Sequence, residues 1–154
     1  MLGRMNSATM TSTPPHDLPR PTTKIAVVLR DDLATWQSLN VTAFLTSGIA
    51  AKRPGLMGED YVDADDTTYL PLFGQPVMIF AAPLELVRQI HSRAVRRELD
   101  LSIFTADMFA TGNDIDNRRV VRAVHGDALD LVGVAIHGPR NAVDKTVKGA
   151  TLHR

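Results

Sequence analysis

A short polar stretch in the second half of the chain carries the side chains best suited to chemistry. It runs from Thr105 to Asn113 as TADMFATGN. Asp107 offers a carboxylate that could act as a general acid or base, and Thr111 and Asn113 offer hydrogen-bonding groups for a ligand. The stretch follows an apolar run, and open α/β sheets bind ligands beyond the carboxyl ends of such strands. We therefore predict a ligand site here, with Asp107 as its catalytic candidate.

The same residue types also suit a purely structural role. Short polar side chains around a glycine often hold a strand-to-helix turn through local hydrogen bonds to the backbone. Three arginines follow, at Arg118, Arg119 and Arg122. They could bind an anionic group, because guanidinium groups pair with carboxylates and phosphates, or they could form a solvated helix face. Both interpretations stay open, and Arg118 joins Thr111 and Asn113 as a ligand-binding candidate.

Composition argues against several classes of protein. The chain has no cysteine, which rules out disulfide scaffolds, thiolate nucleophiles and iron–sulfur clusters. Seventeen Lys and Arg balance seventeen Asp and Glu, which argues against a polycationic nucleic-acid binder. The histidines are widely spaced, and no phosphate-binding glycine loop or nucleophile-elbow motif occurs. We expect no metal, no cofactor and no membrane span.

Four short apolar runs predict the strands of a sheet. They show little polar alternation, which is typical of strands buried on both faces. The predicted strands are residues 24–29, 76–81, 101–105 and 131–136.

Helical periodicity separates these runs. Apolar residues recur at helical spacing over about 36–51, 84–99, 114–124 and 141–148. In the first helix, Gly48 lies on the apolar stripe and is expected to let the helix approach its sheet closely. The alternation predicts a three-layer α/β sandwich: a mixed, mainly parallel sheet of four strands with helices on both faces.

The first 22 residues differ in composition from the rest. They contain four prolines, many Ser and Thr, and no periodic apolar face. We expect a disordered N-terminal arm over 1–22 and a single α/β domain over 23–154. The arm has no apolar core of the kind found in secretory signals, so a cytoplasmic location is expected.

Three blocks of sequence resemble known proteins. KIAVVLRDDL at the first strand and VGVAIHGP at the fourth, together with the element order, resemble the archaeal/eukaryotic-type peptidyl-tRNA hydrolase fold over roughly residues 24–150. The closer resemblance is to an uncharacterised bacterial family, the "domain of unknown function 2000" group, through MFATGNDIDNR at 108–118. Resemblance to that family implies the hydrolase-like fold, and it implies no activity, because none is established for the family.

The chain departs from the hydrolases where their chemistry lies. Their catalytic Lys follows the first strand, but the matching stretch 34–40 contains no Lys. Their His- and Gln-bearing helix is replaced by a segment that begins at Asn40, which we include among the ligand-binding candidates. Asp107 matches their Asp after the third strand. A lone carboxylate does not stabilise an oxyanion. The resemblance to the hydrolases is therefore expected to hold for the fold better than for the activity.

Two classes of function follow. The first is a ligand-binding or interaction module without chemistry of its own, which explains the missing Lys and the neutral charge. The alternative is a hydrolase of peptidyl-tRNA or a related ester, which needs Asp107 and a relocated cation such as Lys24, Arg118 or Arg119. Whether the protein is an enzyme stays open. We expect a homodimer and an unknown small-molecule ligand, and we expect tRNA not to be a partner.

Overall fold

The computed structural model describes residues 19–154. Residues 1–18 of the predicted N-terminal arm lie outside the described part of the chain. Four helices, α1 to α4, span Thr35–Lys52, Leu84–Arg96, Asp114–Arg122 and Arg140–Thr146. Seven strands, β1 to β7, span Thr23–Arg30, Tyr61–Val62, Thr68–Tyr69, Val77–Ala82, Asp100–Thr105, Leu131–Pro139 and Thr151–Leu152. The four strands and four helices predicted from sequence are therefore present, with ends shifted by a few residues.

The main sheet has five strands in the order β5-β6-β1-β4-β7, and β2 and β3 form a separate hairpin. Only β1 and β4 pair in parallel; the other three pairings are antiparallel. The prediction of a mixed sheet is confirmed, whereas the predictions of four strands and of mainly parallel pairing are wrong. β6 inserts between β1 and β5 and runs opposite to both. Its direction could not be read from sequence, since an apolar run does not indicate which way a strand runs in its sheet, and β7 is too short to give a recognisable pattern.

Two apolar clusters cover the two faces of the sheet. On one face, Val41, Leu45 and Ile49 of α1 pack against β1 and β6. On the other face, α2 and α4 pack against the same two strands through Val87, Ile90 and Val143, among others. Helices on both faces are thus observed, as predicted.

Gly133 of β6 sets how closely α1 approaches the sheet. A Cβ atom at this position would lie 3.0 Å from both Leu29 Cδ2 and Val41 Cγ1, and 3.1 Å from Leu45 Cδ1. At Gly48, where we expected the close approach, a Cβ would lie 3.4 Å from Ser102 Cβ and 3.9 Å from Ser102 Oγ, which is ordinary van der Waals contact. The close contact therefore depends on a glycine in the strand and not on the one in the helix.

Among residues 19–154, no helix combines the length and the apolar character that crossing a membrane requires.

We predict that Gly133→Ala destabilises the protein by about 1–3 kcal/mol, because the added methyl group overpacks the contact between α1 and β6. Chemical denaturation followed by circular dichroism measures the change in unfolding free energy. The matched control is Gly55→Ala, since a Cβ at Gly55 has no heavy atom within 4 Å; its effect should stay within about 0.5 kcal/mol. Equal stability of the two variants would contradict the packing argument.

Candidate functional site: an aromatic cleft beside the first helix

An open cleft of about 430 Å³ lies between the N-terminal half of α1 and the segment that follows β5. We call it the aromatic cleft. The chain has five Phe, two Tyr and one Trp, and four of these eight side chains line the cleft. They are Trp36, Phe44, Phe104 and Phe109.

The four rings contact one another edge to face or tilted. Trp36 and Phe109 have ring centroids 5.8 Å apart, Phe44 and Phe104 6.0 Å, and Phe104 and Phe109 5.1 Å. Phe104 is buried, whereas Trp36 is 61% and Phe44 58% exposed. The buried ring anchors the group, and the outer two present apolar faces to solvent.

The structure brings three of the five predicted site residues to this cleft: Asn40, Thr111 and Asn113. Arg118 lies on an adjoining groove instead. Asp107, the catalytic candidate, lies on a 3₁₀ turn, is exposed, and is not among the residues that line either space.

Two of the cleft residues hold the local backbone. The Thr111 hydroxyl donates to the Met108 carbonyl at 2.9 Å and also contacts the Asn117 side chain. The Asn113 side-chain oxygen accepts from the Asp116 backbone N–H at 2.8 Å, which caps the N-terminus of α3. Both side chains therefore hold the turn between β5 and α3 through local hydrogen bonds, which is the structural role that the sequence also allowed. In contrast, the Asn40 amide makes no hydrogen bond within the described part of the chain, so it is available to a ligand.

The cleft carries little net charge. Asp114 is its only charged lining residue within the described part of the chain, and Arg118 balances that charge by pairing with it from outside the cleft. No Lys or Arg is found among the lining residues. A neutral or positively charged ligand therefore suits the cleft better than an anion.

The cations considered for a hydrolase are held elsewhere. Lys24 Nζ lies 2.5 Å from Asp144 Oδ1. Lys24 is at the start of β1, and Asp107 follows the end of β5; because both strands run antiparallel to β6, these residues lie at opposite ends of the sheet. Arg119 pairs with Asp116 at 3.1 Å.

A polar cluster away from the cleft was not indicated by the sequence. It is formed by Arg53, Asp100 and His137. Arg53 Nε donates to Asp100 Oδ2 at 2.7 Å and Arg53 Nη2 to Oδ1 at 3.0 Å. His137 Nδ1 lies 2.9 Å from Asp100 Oδ2. The hydrogen bonds from Arg53, with a smaller effect of His137, lower the pKa of Asp100 to about 2. The only signal in the sequence is a histidine inside the apolar run of β6.

The cluster fastens α1 to the sheet. Arg53 follows the last residue of α1, Asp100 begins β5, and His137 lies on the neighbouring strand. His137 is buried, and its Nε2 has no hydrogen-bond partner within residues 19–154. The Nε2 atom is itself shielded from solvent, so we assign the cluster a structural role.

Fold and cleft together define an α/β domain with an exposed aromatic cleft. The chain belongs to a protein family of unknown function, DUF2000, whose model matches residues 23–154. It is similar to the solved structure of a protein of unknown function from Agrobacterium tumefaciens strain C58, with 47% sequence identity and a TM-score of 0.84. That similarity covers 86% of this chain and 98% of the other. No curated protein matches the chain.

We predict that Asn113→Ala lowers the unfolding free energy by about 1 kcal/mol, because α3 loses its N-cap. Asn113→Ser should keep most of the stability, since serine also caps helices well. Thermal denaturation of both variants measures the difference. Asp107→Asn is the matched control on the preceding turn and should leave the melting temperature unchanged, since this side chain is exposed. An Asn113→Ala variant as stable as wild type would contradict the capping role.

The lowered pKa of Asp100 predicts a dependence of stability on acid. The unfolded chain binds this proton more tightly than the folded protein, so the contribution of Asp100 is full above about pH 4 and is lost as the pH falls towards 2. The loss in unfolding free energy is on the order of 2 kcal/mol. Urea denaturation from pH 7 to pH 2 should show this loss in wild type and not in Asp100→Asn, which is less stable already at pH 7.

The control for this measurement is Asp144→Asn, which removes the exposed pair with Lys24. An exposed ion pair contributes about 0–1 kcal/mol, so this variant should keep the acid-dependent loss seen in wild type. Parallel pH profiles for wild type and Asp100→Asn would contradict the assignment.

Proposed function

We propose that this protein is a ligand-binding module, and that its ligand is a small planar molecule, neutral or positively charged, held in the aromatic cleft. The observation that carries the proposal is the gathering of half of the chain's aromatic side chains around one open space, with Trp36 and Phe44 left largely exposed. Exposed aromatic rings on a stable protein carry an unfavourable contact with water. A ligand that covers them removes that contact.

The cleft chemistry supports this class of ligand. Aromatic rings pack well against planar groups in stacked or edge-to-face geometry, and they also attract cations. Asn40 supplies both a donor and an acceptor to fix the orientation of such a ring. The volume, about 430 Å³, is within the ordinary range for small-molecule sites.

The peptidyl-tRNA hydrolase-like scaffold is part of the proposal and rests on the resemblance in the first and fourth predicted strands. We infer that this scaffold binds and does not hydrolyse. Ester hydrolysis needs an activated water and a group that stabilises the oxyanion. Asp107 could activate a water, but Lys24, Arg118 and Arg119 are each paired with a carboxylate.

The experiment is ligand-observed saturation-transfer NMR with four probes: nicotinamide, its N-methylated cation, adenosine and adenosine monophosphate. The cation and adenosine should bind, and the phosphate of the monophosphate should bring no gain, because the cleft lacks a cation. Trp36→Ala and Asn40→Ala should each weaken binding about tenfold, the loss expected from about 1.4 kcal/mol. The control is Leu39→Ala, an exposed apolar side chain on the same helix that does not line the cleft.

Three outcomes would contradict the proposal. The first is that no probe binds, and the second is that binding is unchanged in Trp36→Ala and Asn40→Ala. The third is release of peptide from peptidyl-tRNA by the wild type that Asp107→Ala abolishes, which would establish the hydrolase alternative instead.

A further inference from the structure

The outer edge of β5 forms the floor of a second open space, which we call the edge groove. It has a volume of about 470 Å³ and runs between α1 and α3. It adjoins the aromatic cleft and extends from there towards Ser102 of β5. The two spaces share five lining residues: Phe44, Phe104, Met108, Asp114 and Asn117.

The backbone of β5 has hydrogen-bonding capacity left over at this edge. β5 is the last strand of the sheet and pairs only with β6. Along a strand, successive N–H and C=O groups point alternately to the two sides. Within residues 19–154, no hydrogen bond joins the outward groups of residues 100–105 to another part of the chain. Such an edge is a template for one more strand.

The wall formed by α1 is apolar and has room beside the strand. Phe44 is exposed there, and Gly48 faces Ser102 with no side chain of its own. The Ser102 hydroxyl is already used, since it donates to the Leu45 carbonyl at 2.7 Å. An added strand would therefore meet apolar surface on this side.

The wall formed by α3 is positively charged. Val121 packs against the apolar cluster beneath α2, and Arg118 and Arg122 line the groove beside it. Arg118 pairs with Asp114, whereas Arg122 pairs with no carboxylate within the described part of the chain. One uncompensated positive charge thus faces the groove, which favours an acidic side chain in the occupant.

A second copy of the chain fits this edge less well. If two copies joined their β5 strands in antiparallel fashion, the two-fold axis would be perpendicular to the sheet and each helix would face its own counterpart. The two α3 helices, each with its uncompensated Arg122, would then lie on the same face of the joined sheet, and like charges repel.

We propose that the edge groove binds an extended peptide segment that adds to β5 as a further strand, with apolar and acidic residues in alternation. Because side chains of a strand alternate between its two faces, the apolar residues contact Phe44 and Gly48 while the acidic residues reach Arg122. Backbone pairing supplies affinity and the two walls supply specificity, as in other cases of strand addition. This proposal does not depend on the ligand of the aromatic cleft.

The test uses the full chain and a fluorescein-labelled heptapeptide in which valine and glutamate alternate, with fluorescence anisotropy as the readout. A second peptide carries lysine in place of each glutamate. A third has the glutamate sequence with alternate backbone nitrogens methylated, so that it cannot pair with an edge strand. We expect the first peptide to bind at least tenfold more tightly than either of the other two.

Two variants test the two walls. Gly48→Leu narrows the groove and should abolish binding. Because a Cβ at this position would already contact Ser102 Cβ at 3.4 Å, circular dichroism and thermal denaturation must first show that the variant folds as wild type does. Arg122→Glu should weaken binding of the glutamate peptide at least tenfold and strengthen binding of the lysine peptide. Arg97→Glu, an exposed change of the same charge at the end of α2, is the control and should leave both affinities within about twofold.

The outcomes separate this proposal from the proposed function. Trp36→Ala and Asn40→Ala should leave peptide binding unchanged, since these residues line only the aromatic cleft. The proposal is overturned if the glutamate peptide does not bind, if the methylated peptide binds as well, or if Gly48→Leu binds like wild type. It is also overturned if light scattering shows a wild-type dimer that Gly48→Leu dissociates, because a second copy would then occupy the edge.

Discussion

The antiparallel pairing of β1 with β6 is the contact on which the rest of the structure depends. These strands stay in register from Thr23 opposite Pro139 to Leu29 opposite Gly133, and most of their residues are buried. A strand pair covered on both faces needs helices on both sides, and this requirement places α1 on one face and α2 with α4 on the other. Among the buried residues of these two strands, His137 alone has a polar side chain. The aromatic cleft and the edge groove lie instead at the margins of the sheet, where strands end or lack a neighbour.

Helix α1 packs against the core with one face and lines the aromatic cleft and the edge groove with its outer side. Val41, Leu45 and Ile49 contact the sheet, whereas Trp36 and Phe44 point away from the buried stripe and remain exposed. A helix with apolar side chains on more than one face is typical of a helix that packs against something on each of those faces. One face of α1 packs against the sheet. The aromatic cleft and the edge groove both lie along the outer side, so a single helix supplies a wall to each.

The sequence predicted the elements well because their signals are local. Continuous apolar runs indicated the four long strands, and periodicity indicated the four helices. Strand direction is a non-local property, and the run LVGVAIHGP has the same pattern whichever way it is placed. The lining of the aromatic cleft was indicated in part for a similar reason. Thr111 and Asn113 were indicated by their place after a strand, but Trp36 and Phe44 are separated from them by more than sixty residues and have no local signal of function. The pairing of Asp100 with Arg53 and His137 likewise arises only when α1, β5 and β6 come together.

The arrangement of α1 against β5 explains why both spaces are preformed. The Arg53–Asp100 pair holds the C-terminal end of α1 to the start of β5, the Ser102–Leu45 hydrogen bond holds its middle, and the contact of Phe44 with Phe104 holds it near the end of the strand. These contacts, spaced along β5 and made at the middle and the end of α1, hold the helix in place over the strand. The α1 wall of the edge groove and the position of the exposed rings of Trp36 and Phe44 are then set by regular elements and not by loops. A site built in this way loses little conformational entropy when a ligand binds, and such preorganisation raises affinity without new contacts.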